Sequence, residues 1–305
     1  MKVGINGAVR DISDLKVGVS GAVRAVSEAY IGVAGATKKV WPSLPAPGKA
    51  LDNYTWDEIS QISSANLGES YFSVGDRKQI TLNGTVGSLS LSNFSTYAFI
   101  IGFNHNSSRE GSGRIHFQLA KTALSGGTDI CFIDISYNSY GSSAAFRMNT
   151  RNTNAGGWED SYMRNNICGT SKSTTSGRIM GAIPAELRNA LKSVTKYTNN
   201  NGSSSASSAV AATTDYFFLL SEYEVFGNIT QSNTHEANYQ QQYAYYSAGN
   251  SKVKYRHNST GSAAYWWLRS PRAGNSYYFV CIGTTGTITN SSASLSLGFA
   301  PGFCV

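Results

Sequence analysis

The sequence predicts an α+β fold, with few helices set among many short strands and long loops. Three observations carry that expectation. Only 14% of the 305 residues are charged, against about 25% in ordinary globular chains, which excludes the Ala/Glu/Lys/Leu chemistry of coiled coils and helical bundles. Ser, Thr, Asn and 31 Gly fill the gap, and these are residues of turns and loops. The 13 Phe, 18 Tyr and 5 Trp supply a large core and exclude global disorder, since disordered chains are poor in aromatics.

The first 42 residues hold an internal repeat: VGINGAVR from Val3, VGVSGAVR from Val17 and IGVAGATKKVW from Ile31. Glycines fall at 4, 18 and 32 and again at 7, 21 and 35, a period of 14. Each unit reads as two short strands around a Gly-Ala turn, as in 2–5 followed by 8–12. One such hairpin buries too little to stand alone, so residues 1–42 are expected to serve attachment or oligomerisation. PSLPAPG, from Pro42 to Gly48, carries half of the chain's six Pro. It predicts a stiff linker over 43–50, ahead of one large domain over 51–305.

That domain opens with LDNYTWDEISQISSANLG, a helix capped by Asp52 or Asn53, with Trp56, Ile59 and Ile62 inward and Gly68 at its end. YFSVGDRKQITLNG alternates as a strand into an Asn83-Gly84 turn. TYAFIIGF, GRIHFQLA, DICFIDISY, DYFFLLS, YFVCIG and GFAPGFCV read as further strands. The clearest later helix spans 183–197, with Pro184 in its first turn and Leu187, Leu191 and Val194 on one face. TNNNGSSSASSAVAATT after it is low in complexity and reads as a loosely packed loop.

Net charge is +7, but the basic residues are scattered, so a soluble basic surface is expected and no nucleic-acid partner. No apolar run approaches the ~20 residues that span a bilayer, so no membrane insertion is expected. The start MKVGINGAVRDISDLK lacks the apolar stretch of a signal peptide, which implies synthesis in the cytosol. Cys131, Cys168, Cys281 and Cys304 form no CxxC pair, and Cys281 and Cys304 lie in apolar runs, so reduced structural thiols are expected.

Signatures of catalysis are sparse. There is no P-loop, HExxH or GxSxG, and His105, His116, His235 and His257 show no metal-ligand spacing. No metal or cofactor is expected. Glu222 and Glu224 in SEYEVFG, two apart, read as one face of a strand. They suit acid/base work or Ca²⁺, or the plainer task of holding a loop or a neighbouring Arg.

The specific signal lies towards Val305. YWWLRSP (265–271) is flanked by two windows, 255–265 and 272–305, with no Lys, Gln, Glu, Met, Trp or Asp. Both are dominated by Tyr, Ser, Asn, Gly, Thr and Arg. Turn-rich surfaces share that composition, as do antibody loops, which pair rigid Tyr anchors with small polar residues. Tyr277-Tyr278 and the arginines tilt the reading towards binding.

The combination YFSVGD, IIGFNH, GGWEDSYMR, LLSEYEVFG, YWWLRSP and GFAPGFCV resembles, over roughly residues 51–305, a domain family of formally unknown function common in gut bacteria and their phages. The repeats resemble small modules of phage tail proteins. The C-terminal part is similar to the C-type-lectin fold of the variable proteins of diversity-generating retroelements and of formylglycine-generating enzymes. The catalytic cysteine pair of those enzymes has no counterpart around Cys281 or Cys304, so no enzymatic activity is implied.

Adenine mutagenesis of retroelement targets never yields Lys, Gln, Glu, Met or Trp at Asn codons, which matches the two windows. The resemblance therefore implies a hypervariable ligand face of Arg256, His257 and Asn258 in one window and Arg272, Asn275, Ser276, Tyr277, Tyr278, Thr285 and Asn290 in the other. Trp266, Trp267 and Leu268 would pack the core beneath, with Arg269 bonding buried carbonyls. It further implies a tail-tip or fibre adhesin of the virion, a homotrimer joined to other tail proteins through residues 1–42, that recognises a saccharide or protein receptor on the host surface. Two alternatives stand beside it: a carbohydrate-active hydrolase using carboxylates among Asp134, Glu159, Glu222 and Glu224, and a purely structural virion component.

Overall fold

The computed structural model describes residues 2–5, 8–11, 15–26, 29–33, 36–41 and 44–305. The chain divides into two compact units, 1–48 and 49–305. In the first, each repeat is one antiparallel hairpin: β1 (Lys2–Ile5) with β2 (Ala8–Asp11), β3 (Lys16–Val19) with β4 (Ala22–Ala25), and β5 (Ala29–Val33) with β6 (Ala36–Trp41). The register repeats with the sequence, setting Val3 opposite Arg10, Val17 opposite Arg24 and Ile31 opposite Lys38. The middle hairpin turns on Ser20-Gly21, with φ of 51° and 80°. Two left-handed residues in a row let the strand twist run through a two-residue loop. Gly7, Gly35, Ile12 and Pro42, which carry part of the expected turns, strand and linker, lie outside the described residues.

In the second unit, helix α1 (Trp56–Ser64) is capped by Thr55 rather than by Asp52 or Asn53. Thr55 Oγ1 accepts from the Glu58 amide at 3.1 Å while Glu58 Oε2 accepts from the Thr55 amide at 2.7 Å, a reciprocal cap. Asp52 instead accepts from the Gln79 amide at 2.6 Å, outside the helix. Trp56, Ile59 and Ile62 are buried, as their spacing predicts. The helix ends at Ala65, and Gly68 opens the short helix α2 (Gly68–Tyr71). A Cβ at Gly68 would come within 2.7 Å of Phe103, so packing, not helix termination, calls for glycine here.

The chain then runs through β7 (Arg77–Val86), β8 (Leu89–Phe103), α3 (Ser107–Glu110), β9 (Ile115–Lys121) and β10 (Ile130–Cys131). Asn83-Gly84 is not the turn: Gly84, at φ 123°, sits at a register shift inside β7, and the chain reverses at Gly87. A wide helical turn (Met163–Cys168) precedes α4 (Ile179–Ala182) and α5 (Ala185–Ala190). The helix expected over 183–197 stops after six residues. Leu191 is already extended, Lys192 bridges to Cys304, and β11 (Val194–Asn199) follows, where β-branched Val194, Thr195 and Thr198 favour a strand. The supposed loop after it contains β12 (Val210–Asp215), paired along all of β11.

Beyond β13 (Phe217–Phe218), the segment SEYEVFG is helix α6 (Glu222–Phe226), not a strand. Ser221 and Glu224 form a second reciprocal cap, and Gly227 closes the helix at φ 70°. α7 (Ala244–Ser247), β14 (Lys254–Arg256), β15 (Ser259–Ala264), β16 (Trp266–Pro271), β17 (Tyr278–Ile282), β18 (Ile288–Ser292) and β19 (Gly302–Cys304) complete the unit.

Short helices among several small sheets make the observed fold α+β, as the sequence predicts. The central sheet is antiparallel in the order β13-β19-β9-β8-β7. β16-β17-β18 forms a meander, and β10-β14-β15 a small mixed sheet. Trp56 packs edge-on against Phe117 and Phe303, which stack on each other at 5.2 Å. Trp266, Trp267 and Leu268 are fully buried. Three buried indole N–H groups find an oxygen: Trp158 at Asp215, Trp266 at the Lys252 carbonyl and Trp267 at the Phe146 carbonyl. The four cysteines are buried and unpaired, and burial pushes the thiols of Cys131 and Cys304 up to about 12. Truncating Trp56 leaves a cavity between α1 and the central sheet, so Trp56→Ala is expected to lower stability by about 3–5 kcal/mol, measured as the shift of the urea unfolding midpoint.

Candidate functional site

The two most specific motifs meet in the core. Arg269 of β16 places both terminal guanidinium nitrogens on the two carboxylate oxygens of Glu224 in α6, the second contact at 2.9 Å. Its remaining donors reach the Leu219 carbonyl and Thr198 Oγ1, each at 2.8 Å. Glu224 also accepts from Lys196 at 2.9 Å, and Lys196 bonds Glu110 Oε2 at 2.7 Å. Arg269, Lys196 and Glu224 are fully buried. Burial alone would raise the Glu224 carboxyl, but Arg269 and Lys196 override it and hold it well below the usual carboxylate range.

Two further carboxylates fasten loops. Glu222 accepts from the backbone amides of Thr230 (2.5 Å), Gln231 (3.0 Å) and Ser232 (2.7 Å), and from the Thr230 hydroxyl. Glu236 accepts from the Asn199 amide at 2.9 Å and from Ser270 Oγ at 2.7 Å. It thereby joins the end of β11 to the strand that carries Arg269. Burial pushes the Glu236 carboxyl up to about 7.

On this frame sits a ridge formed by residues 272–278. The Asn154 side-chain amide donates to the carbonyls of Asn275 (2.6 Å), Tyr278 (2.9 Å) and Arg272 (3.3 Å). The Ala273 amide donates to the Gln231 carbonyl and the Gly274 amide to the Ser203 carbonyl. Asn199 and Asn233 side chains bind carbonyls of residues 202–206, so the low-complexity loop is anchored against the ridge. Arg272 donates to Asn290 Oδ1 at 3.1 Å, and Asn290 donates to Gln231 Oε1 at 3.0 Å. Tyr277 stands out from this network, 54% exposed. The shallow polar grooves at Gly87, Ser142 and Arg178 (about 320 Å³) and at Asp52, Lys78 and Glu186 (about 480 Å³) include no ridge residue.

The structure thus gathers Arg272, Asn275, Ser276, Tyr277, Tyr278 and Asn290 into one surface. Thr285 lies at the opposite end of the β17–β18 hairpin, about 15 Å away at strand rise. Arg256, His257 and Asn258 belong to the β14–β15 hairpin. There Arg256 lies over the Tyr137 ring at 4.6 Å. His257 Nδ1 accepts from the Ile133 amide at 3.2 Å, and burial lowers its imidazole to about 4. Asn258 is exposed at the turn.

A family model described as Domain of unknown function (DUF6273) covers residues 136–305. The chain belongs to the DUF6273 family. No curated protein and no solved structure matches it. The DUF6273 region takes in α6, β16, β19 and both loop windows, while YFSVGD and IIGFNH precede it. It does not close its own sheet, since β19 pairs with β9, outside the matched residues.

Sequence reasoning passed over the supports of the DUF6273 ridge: Asn154, Gln231, Asn233 and Glu236. A buried carboxyl at about 7 fixes a sign for stability. The folded chain holds that proton more tightly than the unfolded one, so the contribution is complete below the ordinary 4.5 and is lost as pH rises through about 7. Glu236→Gln mimics the protonated form. Relative to wild type it is expected to gain stability from pH 4.5 to 7.5 by a total on the order of 2 kcal/mol, read from paired urea unfolding curves.

Proposed function

We propose that this chain is a recognition protein, the tail-tip or fibre adhesin of a phage, whose C-type-lectin-like domain binds a host-surface receptor through the ridge at 272–278 and 290. The observation that carries the reading is the contrast between an exposed Tyr277 and the immobilised backbone beneath it. An amphipathic side chain with few rotors, on a loop held by side-chain amides and buried carboxylates, loses little entropy on binding. Arg272, Asn275 and Asn290 supply donors and acceptors beside it. Such chemistry suits a saccharide, through ring stacking and hydroxyl bonding, or an acidic peptide surface.

The hydrolase reading draws less support. Asp134 accepts from three backbone amides and Ser296 Oγ, Glu222 from the 230–232 loop, and Glu224 from Arg269 and Lys196. These three carboxylates are buried and committed to the fold, and Glu159, the fourth candidate, is exposed. The hairpin repeats fit attachment to other tail proteins or a trimer. Val17, Val19 and Val23 are 47%, 45% and 74% exposed, and β3–β4 buries no valine of its own.

Tyr277→Ala removes an exposed side chain and is expected to leave the melting temperature unchanged while weakening adsorption to host cells by about tenfold or more. Exchange of residues 255–290 for those of a relative is expected to change host range. Adsorption unaltered by both changes would remove the ridge as the receptor site.

A further inference from the structure

Two histidines the ridge does not use, His105 and His116, converge with Glu110 inside the fold. His105 follows β8, Glu110 ends α3 and His116 is the second residue of β9, so the three lie within twelve positions of sequence. All three are buried. His105 Nε2 lies 2.9 Å from the Gln241 carbonyl. A ring nitrogen facing a carbonyl carries a proton, so in the neutral ring Nδ1 is the lone pair. That lone pair sits 3.2 Å from Glu110 Oε1, and it makes no hydrogen bond.

His116 is held in the same manner. Its Nδ1 faces the Tyr243 hydroxyl at 3.1 Å and Cys304 Sγ at 3.3 Å, and its Nε2 has no hydrogen-bond partner. Tyr243 also stacks on the His105 ring at 3.8 Å. One ring nitrogen of each histidine and a Glu110 oxygen lie within 4.8 Å of one another. Each imidazole is therefore held through one nitrogen and keeps the other without a hydrogen bond, beside a carboxylate. Histidines that bind metal are oriented this way by their surroundings, and an orphaned ring nitrogen in the interior is otherwise costly.

We propose that His105, Glu110 and His116 bind one divalent transition-metal ion of the zinc class, which ties the β8–β9 connection to the polar core. Two nitrogens and one oxygen suit zinc, cobalt or nickel, whereas calcium and magnesium need oxygen cages. Glu110 keeps its second oxygen on Lys196. Glu110 and Glu224 already balance Lys196 and Arg269, so no surplus carboxylate meets the ion. Directional nitrogen bonds, rather than charge, would hold it, and binding would be weaker than at a closed four-ligand centre. The site lies outside the DUF6273 match and does not depend on the adhesin reading.

The test uses the full chain expressed in zinc-supplemented medium. About one zinc per chain is expected by elemental analysis. The melting temperature should rise with zinc or cobalt and stay fixed with magnesium or calcium. The cobalt form should show two hyperfine-shifted, exchangeable imidazole N–H resonances, one from each histidine, which needs no variant. His105→Gln and His116→Gln should each lose the metal. A wild-type chain that carries no zinc and gains no stability from it overturns the proposal, as does metal retained by the double variant or a cobalt spectrum without histidine resonances.

Discussion

Arg269 and Glu224 face each other with both carboxylate oxygens engaged and both side chains fully buried. The desolvation of such a pair is large, and the attraction repays it only while every donor and acceptor is matched. Here they are: Lys196, Thr198, the Leu219 carbonyl and the Ser221 cap complete the set. Removing either partner would strand a buried charge, a cost of about 3–5 kcal/mol. The pair fixes α6 against β16, and with it the positions of Glu222 and Ser270. Those two residues set the loop at 230–232 and, through Glu236, the end of β11 at Asn199.

From that constraint the polar composition acquires a mechanical meaning. Asn154, Asn199 and Asn233 are almost wholly buried, and their amide groups bond loop carbonyls that have no strand partner. A chain with long irregular segments must satisfy its backbone by some means other than ladders. This one does so with short amide side chains, which reach a carbonyl without much rotamer entropy. Low charge follows, because lysine and glutamate would be poor substitutes in those places.

How much of this was legible in the sequence varies by element. The alternating and 3.6-period segments were: α1's inward face, the strands around Phe99 and Phe117, and the buried Trp266-Trp267 all follow from pattern. The α6 segment was misread because glutamates two apart mark one face only in a strand, and the helix was betrayed instead by Ser221 three residues before Glu224. The helix after Pro184 was overextended since Leu187, Leu191 and Val194 keep helical spacing, while pairing with β12 and Cys304 claims the residues beyond Ala190. At the ridge, Tyr277 and its neighbours stood out by composition, yet their supports come from residues more than 40 positions away. The His105, Glu110 and His116 cluster showed no recognised spacing. It depends on which ring nitrogens are left without a hydrogen bond, and contacts with Gln241 and Tyr243, distant in sequence, determine that.

The place of β19 bears on how the molecule is made. Residues 302–304 lie between β9 and β13 in the central sheet, about 190 positions beyond His116 in the chain. While the ribosome is still delivering the intervening segment, β9 has an open edge and Phe117 lacks the ring it stacks on. Sheet closure therefore waits for the last strand to emerge, and nascent chains spend that interval with an unpaired, apolar margin. Biogenesis, more than equilibrium stability, is where this arrangement leaves the protein exposed to mispairing and to the attention of chaperones.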